Sequence, residues 1–258
     1  MKYIDLHVHT NYCDGKNSPK QMVESAIKKG VQTLGLLVHS YTPALDSDDY
    51  CVDKANVTPF INEINRLKVE YKNKIKILCG VERDFVSVMP TTGFDYVIGS
   101  LHYFKVNDNL YSIDESEEGF ISTVKNVFNG DYYSACENYF DTLKKLCKNC
   151  NLDIIGHFDL VRKYNKKQCL FDESNPRYLE SAKSAIDELL TLNKPFEINL
   201  GAIYRGYQDA PYPNDWAIEY IKSKGGKFIL SSDSHSVDTL TLDFDKWIKT
   251  FSEKGIKL

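Results

Sequence analysis

The chain contains six histidines: His7, His9, His39, His102, His157 and His235. Each stands at or just after the end of a short β-branched or aliphatic run, and Glu82 holds the same place on a further run, with Asp233 on the run that His235 follows. Imidazole nitrogens and carboxylate oxygens are the ordinary ligands of divalent zinc, manganese and iron. The His7-Val8-His9 spacing has a direct use, because residues i and i+2 of an extended strand point the same way and both rings can reach one cation. Asp233-Ser234-His235 repeats that offset near the other end of the chain. A lone histidine at a strand end is more often a satisfied polar residue than a ligand. All six at such positions is hard to obtain that way, and a metal site is expected. No cysteine cluster accompanies them, which disfavours a purely structural zinc site.

The elements that must position these side chains alternate in type. Seven short runs predict strands: Lys2 to Val8, Thr33 to Val38, Lys74 to Val81, Asp95 to Leu101, Leu152 to Gly156, Pro195 to Leu200 and Lys227 to Ser232. Helical spacing fills most of the gaps, from about Pro19 to Lys29, Pro59 to Tyr71, Glu117 to Asn149, Ser174 to Leu192, Asp215 to Lys224 and Asp243 to Glu253. The first helix carries its own punctuation, with Ser18 as N-cap, Pro19 at the first turn, Gln21 closing a capping box and Gly30 as stop. Runs such as Leu34-Gly35-Leu36-Leu37-Val38 are apolar on both faces, as parallel strands covered by helices require. The expected class is α/β, a distorted (β/α)7 TIM-like barrel forming one domain over residues 1–258. A doubly wound sheet is the rival, but the Gly-rich first turn through which it binds is absent. In a barrel the strand C-termini converge on one rim, so six of the seven strands would aim a ligand-type side chain at one place.

Composition narrows the partners. At 258 residues, 42% hydrophobic and 26% charged, the chain has the make-up of a globular protein with a sizeable core. The net charge of −4, with no basic stripe, counts against nucleic acid as a partner and leaves a small anionic substrate open. The start lacks the apolar stretch of a signal peptide, and no run approaches the ~18 apolar residues of a membrane span. Seven cysteines at irregular intervals argue against a disulfide framework, so a cytoplasmic location is expected. Cys147-Lys148-Asn149-Cys150 has redox or zinc spacing but no second pair, and no role is expected of it. Oligomeric state is not legible.

With these residues in view, the chain resembles the polymerase and histidinol phosphatase (PHP) superfamily. The motifs are Asp5-Leu6-His7-Val8-His9-Thr10, Cys13-Asp14-Gly15, His39, Gly80-Val81-Glu82, Gly99-Ser100-Leu101-His102, Gly156-His157 and Ser231-Ser232-Asp233-Ser234-His235. They run from end to end, and the segments Gly99 to Tyr103 and Gly156 to Leu160 are most similar to the stand-alone histidinol phosphatases. The resemblance implies a distorted seven-stranded barrel with two to three divalent ions, zinc, manganese or iron. It implies one metal on His7, His9, Glu82 and Asp233, a second on Glu82, His102 and His157, and a third on Asp14, His39 and His235. Many relatives carry histidine at the position of Asp14, which leaves the third site's occupancy open.

The implied chemistry is hydrolysis of L-histidinol phosphate to L-histidinol and phosphate, with a metal-bridging hydroxide attacking phosphorus in line. Glu82 and Asp233 are the catalytic carboxylates, and no group is assigned as the acid for the leaving alkoxide. Arg162, five residues after His157, and Arg205, just past the sixth strand, are placed to clamp phosphate. Glu197 and Asn199 lie on the sixth strand, of which one parity faces inward. The imidazole and amine of histidinol call for carboxylates, and Glu115 in the loop Asp114 to Glu118 is the candidate, although such loops are often merely solvated. Two other readings stand beside this one: a phosphoesterase for another small ester or a nucleotide, and a non-catalytic metal-binding accessory domain.

Overall fold

The computed structural model describes residues 3–42, 50–149 and 151–258, with the side chains of 146–149 left aside. Seven strands form one parallel sheet: β1 (Tyr3–Val8), β2 (Val31–His39), β3 (Lys76–Asp84), β4 (Tyr96–Ser100), β7 (Ile154–Ile155), β8 (Phe196–Asn199) and β9 (Phe228–Ser231). Their spatial order follows the chain, and a parallel bridge from Val8 to Ser234 joins the first strand to the segment after the last. His9 N donates to Ser234 O at 2.8 Å and Ser234 N to His7 O at 3.1 Å, so closure lies at the C-terminal rim, beside the histidines. The Asp5 carboxylate, fully buried, adds a side-chain pin by accepting from Ser232 Oγ at 2.6 Å and from Ser232 N at 3.2 Å. The result is a nearly closed, distorted (β/α)7 barrel.

Both faces of the strands are covered, as the apolar runs predict: Leu34, Leu36, Leu37 and Val38 are all fully buried. Inside the barrel the Tyr96 ring lies against Gly35 and Gly80. A Cβ would come within 2.2 Å of the Tyr96 hydroxyl oxygen at Gly35 and of a Tyr96 ring carbon at Gly80, and the Tyr96 hydroxyl donates to Leu6 O at 2.6 Å. The glycines thus make room for one large side chain that fills the interior below the rim.

The covering helices are α1 (Pro19–Lys28), α2 (Val57–Glu70), α3 (Glu117–Val127), α4 (Tyr132–Asn149), α5 (Pro176–Leu190), α7 (Asp215–Ser223) and α8 (Phe244–Glu253), with a short α6 (Gly201–Tyr204) directly after β8. The Ser18–Gln21 capping box is formed, Ser18 N donating to Gln21 Oε1 at 2.9 Å and Gln21 N to Ser18 Oγ at 3.3 Å. The single helical region expected from Glu117 to Asn149 is two helices. Asn129 and Gly130 adopt φ of 54° and 79°, a left-handed pair that ends α3, and Asp131 Oδ1 accepts from the backbone of Tyr133 and Ser134 to start α4.

An antiparallel hairpin, β5 (Tyr103–Val106) and β6 (Asn109–Ser112), was not anticipated from the run pattern. Its two-residue turn places Asn107 at φ 55°, as a tight hairpin demands. The hairpin leaves the barrel directly after His102 and returns at Ile113, whose N donates to His102 O at 2.8 Å, so Asp114 is delivered back to the rim.

Candidate metal centre

The ligand-type residues arrive at the rim by different routes. His7 is on β1 and His9 just beyond it; both side chains face inward and are fully buried. His39 closes β2 and lies in register with Glu82 on β3. His102 and His157 each sit two residues past the ends of β4 and β7. Asp233 and His235 follow β9, and Asp233 is held at φ 49°, a left-handed conformation that costs on the order of 1 kcal/mol and turns its carboxylate into the barrel.

Three groups of ligand atoms result. In the first, His7 Nε2 lies 3.1 Å from both His9 Nε2 and Glu82 Oε2, His9 Nε2 is 3.4 Å from the same oxygen, and Asp233 Oδ1 is 3.7 and 3.6 Å from the two rings. Four ligands at ~2.1 Å around a tetrahedral ion stand about 3.4 Å apart, which is the spacing found. In the second, the other Glu82 oxygen, Oε1, is 2.8 Å from His157 Nε2 and 3.4 Å from His102 Nε2. Glu82 therefore offers one oxygen to each group. In the third, Asp14 is 3.0 Å from His235 Nε2, 3.7 Å from His39 Nε2 and 3.6 Å from His9 Nδ1. His39 stands between groups, since its Nδ1 is also 3.1 Å from Glu82 Oε2.

The donor chemistry fits divalent ions. Glu197 Oε1 lies 2.6 Å from His7 Nδ1, and Asp84 Oδ2 lies 3.1 Å from His102 Nδ1. A carboxylate at Nδ1 fixes the proton there and leaves the Nε2 lone pair pointing inward. The first group then consists of lone pairs and carboxylate oxygens facing one another inside 4 Å, an arrangement that only protons or a cation can hold together. The charges agree. Burial works against ionised Glu82, but His7 and His39 outweigh it and hold its pKa well below the usual range. Burial likewise opposes ionised Asp233, and Arg205 with His7 overrides it. His7 is raised well above the usual imidazole value despite burial, by Glu197 and Glu82. Burial together with the neighbouring His235 and His39 lowers His9 to about 3, leaving it neutral.

Above these groups opens a cavity of about 370 Å³, lined by ligand residues on the floor and by Tyr50, Tyr103, Asp114, Glu115, Lys163 and Arg205 on the walls. Arg205 donates from Nη2 to Asp233 Oδ2 at 2.8 Å and from Nη1 to Asp233 O at 3.2 Å. Gly201 makes this possible, because a Cβ there would lie 2.5 Å from Arg205 Nη2 and 2.6 Å from Asp233 Oδ2.

Arg162 is not among the cavity residues, contrary to its expected role as a phosphate clamp. It ends a 3₁₀ turn, Leu160–Arg162, that directs it into the protein, where it lies 3.3 Å from Glu173 Oε2 and donates to Pro211 O and Gln208 Oε1, also at 3.3 Å. The next residue, Lys163, faces the cavity instead. Its Nζ donates to Asp114 O at 2.7 Å, lies 3.6 Å from Asp114 Oδ2 and sits 4.6 Å above the Tyr207 ring. Glu115 lines the cavity from an exposed position, with Asp114 deeper beside it. Asp84 was not singled out from sequence, although it lies two residues beyond Glu82 on the same strand face. Glu197 and Asn199, also two apart, both face inward. Cys150 and the Cys147 side chain lie outside the described residues. No described helix is long and apolar enough to cross a membrane.

A PHP domain family model matches residues 5–200. The chain belongs to the PHP domain family. This PHP domain is 27% identical to a histidinol-phosphatase of Lactococcus lactis, over 91% of the chain and 85% of that protein. It is 24% identical to one of Bacillus subtilis, over 96% and 99%. Its fold matches a solved histidinol phosphate phosphatase from Lactococcus lactis, complexed with zinc, L-histidinol and phosphate, at a TM-score of 0.70 and 22% identity, covering 99% and 95% of the two chains.

Proposed function

We propose that this PHP domain is a metal-dependent phosphatase that hydrolyses L-histidinol phosphate to L-histidinol and phosphate, with His7, His9, Asp14, His39, Glu82, His102, His157, Asp233 and His235 as ligands of two to three divalent ions. The single observation that carries the reading is Glu82, buried and ionised, with one oxygen against each of two groups of imidazole nitrogens. His7, His9 and Asp233 would hold one ion with Glu82, and His102 and His157 a second. Asp14, His39 and His235 would hold a third. When bound, such ions supply Lewis acidity, making water acidic enough to serve as a nucleophile and neutralising charge on phosphoryl oxygens. Curated relatives named histidinol-phosphatase over nearly the full chain support the substrate.

The chain's own residues do the rest. Arg205, paired with Asp233, and Lys163, beside Asp114, both line the cavity, so a phosphate above the floor would meet two cations. Asp114 would receive the cationic end of the substrate. Burial opposes its charge, but Lys163, His102 and His157 outweigh that and lower its pKa, so it is an anion at neutral pH. Glu115 at the mouth adds a second negative charge toward the amine.

The test is a comparison of kcat/KM on L-histidinol phosphate, nucleoside monophosphates, phosphotyrosine and an aryl phosphate, with zinc or manganese supplied. A preference for histidinol phosphate of at least about 100-fold, or about 2.7 kcal/mol in transition-state binding, is expected. Equal rates across the panel would overturn the substrate, and no metal-dependent hydrolysis of any ester would overturn the enzyme.

A further inference from the structure

One buried carboxylate touches both of the first two ligand groups without belonging to either. Glu197 is 1% exposed on β8, and its two oxygens divide their partners. Oε1 lies 2.6 Å from His7 Nδ1 and accepts from Ser231 Oγ; Oε2 accepts from His157 N at 2.9 Å and from Asn199 Nδ2 at 2.9 Å. Asn199 Nδ2 in turn lies 3.2 Å from Asp233 Oδ2. One side chain thus fixes the ring of His7, the backbone that carries His157 and, through Asn199, the carboxylate of Asp233.

We infer that Glu197 is a positioning residue that sets the ligating tautomer of His7 and holds the first and second metal groups at their mutual spacing. The inference rests on the metal reading above. The chemistry follows from counting donors. His7 must carry its proton on Nδ1 if Nε2 is to bind a cation, so Nδ1 is a donor. Ser231 Oγ, the His157 amide and the Asn199 amide are donors as well. Only a group that accepts on both oxygens satisfies them all, and an ionised carboxylate is the one side chain that does so. Glutamine has the same shape but one acceptor. Turned one way, its NH₂ faces His7 Nδ1 and drives the ring proton to Nε2, where it occupies the ligand lone pair. Turned the other way, the NH₂ faces the His157 N–H, which has no freedom to rotate and is left unsatisfied in a buried place.

The experiment compares wild type with Glu197→Gln by chelator-competition titration of zinc and of manganese, together with Tm with and without metal. Glu197→Gln is expected to weaken metal binding by roughly 10- to 100-fold and to shrink the metal-induced rise in Tm. Unchanged affinity, with only the metal-free Tm lowered, would make Glu197 a structural residue and overturn the inference. A measurement that does not depend on the variant folding is ¹⁵N–¹H correlation of the histidine rings in zinc-loaded wild type. His7 is expected to show its proton on Nδ1, and a proton on Nε2 overturns the proposal. If wild type binds neither metal, the metal reading itself fails, which is a result distinct from equal, tight binding by both proteins.

Discussion

Metal loading of this cluster should release protons near neutral pH, about two of them from rings that the structure identifies. Before metal binds, His7 is opposed by burial but surrounded by Glu197, Glu82 and Asp233, which raise its pKa well above the usual imidazole value. His102 is raised in the same way, burial being outweighed by Glu82 and Asp84. Both rings are therefore charged at pH 7 in the metal-free protein. His9 is lowered to about 3 and His39 is also lowered, chiefly by burial in each case, so those two rings have no proton to give. The ligand carboxylates Glu82 and Asp233 are held well below the usual range and are already ionised. An incoming ion needs the Nε2 lone pairs of His7 and His102, while the Nδ1 protons stay on the rings and are donated to Glu197 and Asp84. Each ring thus gives up one proton. The sign is fixed: affinity rises with pH, by about one log unit per pH unit for each proton, until pH reaches the raised pKa values. Calorimetric titration of zinc into chelator-treated protein, repeated in buffers of different ionisation enthalpy at one pH, reads the proton count directly. A count near two is predicted from these rings. A count near zero, or an affinity flat between pH 6 and 8, would refute the account of how the carboxylates hold these histidines.

Two further perturbations are independent of that one. Gly201→Ala would place a methyl 2.6 Å from Asp233 Oδ2 and 2.5 Å from Arg205 Nη2, forcing the pair apart. A fall in kcat on the order of 100-fold is expected, the usual consequence of displacing a reacting group by about 1 Å, and unchanged turnover would show that the Arg205–Asp233 geometry is not needed. Asp5 is raised by burial to about 6, against a lowering by its Ser232 bonds, from an unfolded value of 3.8. Its folded pKa is the higher one, so the native state holds the proton longer, and stability present below pH ~4 is lost as pH rises to ~6. The loss is on the order of 2–3 kcal/mol. Urea unfolding of metal-free wild type and Asp5→Asn between pH 4 and 7 should show the stability difference shifting in favour of the variant as pH rises; a constant difference would count against it.

Much of the centre was legible in the sequence because strand ends are legible. His7 and His9 are forced to one face by the two-residue period, and His39, Glu82, His102 and His157 follow from where apolar runs stop. What the pattern does not carry is the path of the chain between strands. Arg162 and Lys163 are neighbours, and only the 3₁₀ turn from Leu160 to Arg162 decides that the arginine points into the protein and the lysine into the cavity. Asp114 reaches the rim because a hairpin turned by Asn107 returns the chain beside His102, a long-range consequence of a local dihedral. The break between α3 and α4 at Asn129-Gly130 carries a turn signal within helical periodicity, and the periodicity masked it. Glu197 and Asn199 lay within reach, since two residues apart on a strand share a face and a buried acidic pair of sites needs acceptors behind its histidines.

If these histidines and carboxylates hold the ions that make histidinol phosphate labile, hydrolysis must follow the metal. One continuous assay tests it: phosphate release from L-histidinol phosphate by chelator-treated protein, followed through the addition of zinc or manganese and then of excess chelator. Release should be absent at first, begin on addition of metal and stop on its removal, with Glu82→Gln silent throughout. Release that proceeds equally with and without metal, or that persists in Glu82→Gln, would contradict the claim.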